Sequence, residues 1–132
     1  MKFVSEQLEF AALFGAEPKF EYPNLPYFEN VTTLEADLEH HNVWLQFMPS
    51  QGWAELRVVG KPFSMVKLLL SDIESMSIRR TKEDHTLEIK FARELTSNLS
   101  LSLRPRVMLF WGNQGEDDDA PVLSPVATNG AA

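Results

Sequence analysis

The sequence predicts a mainly β, α+β domain: an antiparallel meander, sandwich or partly closed barrel of about seven to eight strands with one N-terminal helix. Three observations lead there. Apolar residues alternate with polar ones at period two from about residue 34 to residue 111, turn residues interrupt the alternation at short, regular intervals, and a helical period occurs only at the start.

The helix is expected from about Ser5 to Phe14. Ser5 serves as N-cap, Glu6 and Glu9 sit at the positive end of the helix dipole, and Gly15 provides the stop. Val4, Leu8, Ala11 and Ala12 recur at helical spacing and mark its buried face. Pro18, Pro23 and Pro26 then make 16–27 an extended connection, with Phe20, Tyr22, Tyr27 and Phe28 pinning it to the body.

In "EADLEHHNVWLQF" (35–47), Leu34, Ala36 and Leu38 alternate with Glu35, Asp37 and Glu39, which gives a strand with one dry and one wet face. Val43, Leu45 and Phe47 resume the alternation after His40-His41-Asn42, the tip of a hairpin. "PSQG" (49–52) is a turn, and Ala54, Leu56 and Val58 share one face of the next strand. "FSMVKLLL" (63–70) is apolar enough to be covered on both faces. "SMSIRR" (75–80) follows, with Met76 and Ile78 inward. In "TLEIKF" (86–91) and "NLSLSL" (98–103), Leu87, Ile89, Phe91, Leu99, Leu101 and Leu103 face the core. "RVMLFW" (106–111), after a bend or edge at Pro105, is placed to close the sheet.

Two segments follow: a globular domain over 1–112 and a tail over 113–132. The tail is rich in Gly, Asp, Pro, Ala and Ser, and this composition predicts disorder.

Composition narrows the function. A chain of 132 residues suits one domain. It has no cysteine, hence no disulfide framework and no thiolate ligand or nucleophile. The net charge of −7 opposes a general affinity for nucleic acid or anionic membrane. Glu116, Asp117, Asp118 and Asp119 carry four of those charges, so the body is only mildly acidic. The start of the chain lacks the apolar run of a signal peptide, and no stretch approaches a membrane span, so the expected location is cytoplasmic.

No catalytic, cofactor-binding or metal site is expected. Adjacent histidines on a strand point to opposite faces, so His40 and His41 cannot ligate one metal from regular β structure. Glu35, Asp37 and Glu39 lie roughly 7 Å apart along one strand face, but acid/base work needs a pKa raised by burial, and alternation with apolar residues leaves the three solvated. Serine-nucleophile and Gly-rich phosphate motifs are absent. The candidate residues are instead those of a partner-binding surface. Trp44 lies opposite Val43, Leu45 and Phe47, and Trp53 lies opposite Ala54, Leu56 and Val58. Either the helix or the Pro-rich segment covers this second face, or Trp44 and Trp53 mark a recognition patch beside the carboxylates of Glu35, Asp37 and Glu39.

The order of elements carries a resemblance. A short helix ends in "LFGAEP" (13–18), a Pro/aromatic link and a hairpin follow, and then come "WAELRV" (53–58) and "SMVKLLLSDIESMSI" (64–78). Across roughly residues 8–91 this is similar to the small, mostly β immunity proteins of bacterial polymorphic toxin systems. The resemblance implies a cytosolic, acidic, non-enzymatic inhibitor that binds and occludes a cognate toxin domain, and it carries over no functional residue. The alternative reading is a sandwich or barrel holding a small apolar ligand between its faces.

Overall fold

A computed structural model describes residues 1–62, 64–94 and 96–112; the tail expected over 113–132 lies outside the described residues. The elements are β1 (Phe3–Val4), α1 (Gln7–Phe14), β2 (Lys19–Phe20), β3 (Thr32–Asp37), β4 (His41–Met48), β5 (Trp53–Gly60), β6 (Ser64–Leu70), β7 (Ile73–Arg80), β8 (His85–Phe91), β9 (Leu99–Arg104) and β10 (Met108–Trp111). The eight strands expected from the alternation are all present. Two more, β1 and β2, have two residues each, too short for a period to register.

Two consecutive meanders build the fold. The front sheet has the order β2-β3-β4-β5-β6 and is antiparallel throughout, and the back sheet has the order β1-β7-β8-β9-β10. In the back sheet β1 joins β7 in parallel, and the other pairs are antiparallel. The chain passes between the sheets at Ser71-Asp72, where Asp72 adopts a left-handed φ of 55°. β10 pairs with β9 alone, so it ends the back sheet as an edge and no barrel closes.

One core joins both sheets and the helix. Leu34, Val43, Leu45, Phe47 and Leu56 contribute from the front sheet, and Met76, Leu87, Ile89, Leu99 and Leu101 from the back. These residues are buried as the alternation predicts. Each fully buried Leu or Ile of this kind stabilises the fold by roughly 1.5–3 kcal/mol relative to its exposed state.

The helix lies against β3 and β7 and inserts Phe10, Leu13 and Phe14 into that core. This corrects the expected face: Leu8 is 79% exposed. The cap also differs. Glu6 is the N-cap, and its N–H donates to Glu9 Oε1 at 3.2 Å in a capping box. Ser5 is instead buried against β7, where its Oγ accepts the Ile78 N–H at 3.0 Å.

The Pro-rich connection is held by fewer aromatics than expected. Tyr27 packs edge-on against Phe47 at 6.3 Å and donates its hydroxyl to the Ser5 carbonyl at 2.7 Å. Phe20, Tyr22 and Phe28 stay exposed. The buried Asn30 does the remaining work: its amide donates to the carbonyls of Tyr22 and Leu25, and its Oδ1 accepts the Tyr22 N–H. At the β4–β5 turn Gly52 has φ +68°, and a Cβ there would meet the Ile73 carbonyl at 3.3 Å.

The largest correction concerns β6. It is the edge of the front sheet, not a strand covered on both faces, and Met65, Val66 and Leu69 are all exposed.

Candidate functional site

Period-two alternation on four paired strands creates an outer face on the front sheet. Residues whose neighbours fill the core point away from it, and the register sets them in rows. Asp37, Asn42, Val59 and Met65 form one row; Glu35, Trp44, Arg57 and Lys67 the next; Thr33, Gln46, Glu55 and Leu69 a third; Met48 and Trp53 close the face. None of these side chains is buried. The helix packs on the opposite, inner side, so it does not cover this face. The Pro-rich connection only flanks it, with Ala16, Glu17 and Lys19 lining a depression of about 600 Å3 beside Glu35, Asp37 and Trp44.

The sequence-derived candidates are thus partly brought together. Glu35 stands directly across from Trp44 on the adjacent strand. The Arg57 guanidinium lies over the Trp44 ring, 4.2 Å from its centroid, which holds both flat groups in a fixed orientation. Trp53 shares the face but lies four residues further along the strands, roughly 14 Å away. Glu39 stands apart from the strand row: it belongs to the exposed turn between β3 and β4, 3.7 Å from His40.

The electrostatics differ from a uniform acidic row. Asp37 is bound by Lys61 at 3.0 Å, and the Lys61 and Asn42 hydrogen bonds hold its carboxyl below the usual aspartate range. Glu55 accepts from Arg57 at 2.7 Å and lies 3.8 Å from Lys67, one carboxylate between two cations. Glu35 has no ion pair among the described residues. The face is therefore polarised, with free carboxylate on β3 and a surplus of positive charge on β5 and β6. The sequence alone assigns no role to Arg57, Glu55 and Lys67, which share this face, because those roles depend on cross-strand register, which the turn lengths left open.

The remaining chemistry is sparse. Among the described residues, no three His, Asp or Glu side chains group closely enough to hold a metal ion. The two sheets meet through fully buried side chains. A depression of about 190 Å3 opens at one edge, between Leu69, Phe91, Arg93 and Trp111, which is below the usual size of a small-molecule site. No described helix is long and apolar enough to cross a membrane.

The paired meanders and bridging helix have a counterpart among solved structures. The fold is similar to that of a chain in a toxin–immunity protein complex. That complex is a contact-dependent growth inhibition toxin with its immunity protein, from Klebsiella pneumoniae 342. The TM-score is 0.66 at 14% sequence identity, over 82% of this chain and 93% of that one. The resemblance drawn from the order of elements is thus met at the level of fold. No protein-family model matches the sequence, and no curated protein matches it.

Proposed function

We propose that this chain is a non-enzymatic, immunity-type protein-binding module that occludes a cognate toxin domain with the outer face of its front sheet. The observation that carries the reading is the Glu35–Trp44–Arg57–Lys67 row, a half-buried aromatic group on the outer face, oriented by a cation and bounded by charges of opposite sign. Trp and Arg are the residues that most often anchor protein interfaces, and fixed orientation lowers the entropy lost on binding. Glu35, Asp37, Glu39, Trp44 and Trp53 are the proposed contact residues. The likeness of fold to a chain of a toxin–immunity complex supports the same reading. Inhibition of this kind is steric and electrostatic and needs no cofactor.

The test is co-expression with the C-terminal domain of a large secreted protein encoded beside this chain. Protection of growth, together with a 1:1 complex that Trp44→Ala weakens by roughly 2 kcal/mol or more, is the expected result. A toxin domain that neither binds the chain nor loses toxicity overturns the proposal.

A further inference from the structure

The four sheet edges are unequal. β1 and β2 have two residues each and β10 has four, whereas β6 presents seven. Edge strands expose unpaired backbone N–H and C=O groups, and proteins ordinarily shorten, charge or cover them. β6 is long and, among the described residues, uncovered, with Met65 61% and Leu69 73% exposed on the outer face and Val66 exposed on the inner one. One charge, Lys67, interrupts it at its centre.

Lys67 decides what this edge can accept. If a second copy paired over the full strand in twofold antiparallel register, Lys67 would meet Lys67, and like charges directly opposite are destabilising. Any register that separates the lysines shortens the ladder. The chain's own residues 113–132 suit the edge poorly, because Pro121 and Pro125 leave only Val122, Leu123 and Ser124 between them, and each proline lacks a backbone donor. A separate protein carrying a carboxylate at this point would instead complement the two cations that end the Glu35–Trp44–Arg57–Lys67 row. Glu55 is already shared between Arg57 and Lys67, so positive charge remains to be met.

We propose that β6 is a docking edge on which an extended segment of a partner protein adds as a further strand, with Asp or Glu facing Lys67 between two apolar residues that face Met65 and Leu69. The inference rests on the protein-binding reading above and specifies the partner's segment. Main-chain hydrogen bonds supply affinity in this mode, and alternate side chains supply specificity.

The probe is a β-hairpin peptide whose free strand reads Thr-Val-Thr-Glu-Thr-Val-Thr, with a second peptide carrying Lys in place of Glu. Amide hydrogen exchange of the full chain is followed by NMR as each is added. The Glu peptide should slow exchange along β6, and the Lys peptide should bind about tenfold more weakly. Lys67→Glu should reverse that preference. Equal binding of both peptides, protection confined to other strands, or no binding overturns the proposal. So does β6 protection in the free chain that rises with protein concentration, which indicates a second copy, or that vanishes on truncation after Asn113, which indicates the tail. With a toxin domain in hand, Lys67→Glu combined with Leu69→Asp distinguishes the two readings. Undiminished binding by this exposed pair, with loss on Trp44→Ala, sinks strand addition alone; undiminished binding by both variants sinks the outer face as well.

Discussion

Thr32 points into the core from β3 with no exposed surface, and its Oγ1 has no hydrogen-bond partner among the described residues. A buried hydroxyl in that state costs free energy that an isosteric methyl does not. Thr32→Val should therefore raise stability by about 1 kcal/mol, measured as a rise in the urea midpoint at unchanged slope. Tyr27 has the opposite character, because its hydroxyl is satisfied by the Ser5 carbonyl. Burial pushes its phenol well above the ordinary 10.0, and Glu6 and Glu9 add to the shift. Both folded and unfolded chains hold this proton below that value. Above it the unfolded chain ionises first, so this contribution is full below about pH 10 and declines as pH rises further. Tyr27→Phe should cost about 1 kcal/mol at neutral pH through the lost hydrogen bond. Urea unfolding at about pH 9 and about pH 11 should show the variant losing less stability than the parent over that interval.

The helix and β6 show what a period can and cannot reveal about an element. α1 spans eight residues, little more than two turns, so Val4, Leu8, Ala11 and Ala12 satisfied helical spacing while the packed stripe runs through Phe10, Leu13 and Phe14. Phe10→Ala should cost about 3–5 kcal/mol, whereas Leu8→Ala should stay within about 0.5 kcal/mol. Thermal unfolding of the two variants checks the face directly. The longer strands were legible because one dry face repeated two or three times in each: Leu87 and Ile89, Leu99 and Leu101, and Val43, Leu45 and Phe47 are all fully buried. In β6 the same logic misled. An apolar run broken only by Lys67 reads as a strand covered on both faces, and position in the sheet order, which composition does not encode, makes it an edge. Asn30 was invisible for a different reason: its work is to satisfy the backbone of an irregular loop, and no periodicity accompanies that role.

At the scale of the whole molecule, two meanders with a helix bridging them leave the outer face of the front sheet open, and its charge distribution sets how a partner approaches. The acidic hairpin was legible in the sequence as a solvated feature, yet its carboxylates are unequal once Lys61, brought in from the β5–β6 turn, binds Asp37 at 3.0 Å. Glu35, beside Trp44, has no ion pair among the described residues, and Glu39 projects from the turn. Charges of this kind act on encounter more than on residence, and their effect is screened over about 8–10 Å at physiological salt. Replacing Glu35, Asp37 and Glu39 together with Gln should lower the association rate with the proposed partner by roughly two- to tenfold at low ionic strength and flatten its salt dependence. Folding stability should change by no more than about 0.5 kcal/mol, because the three side chains are exposed. Among single variants, Glu35→Gln should slow association more than Asp37→Asn, since Lys61 already offsets the aspartate's field. Stopped-flow association at several salt concentrations measures all three, and equal effects of the two single variants would mean that the Lys61 pairing does not persist in solution.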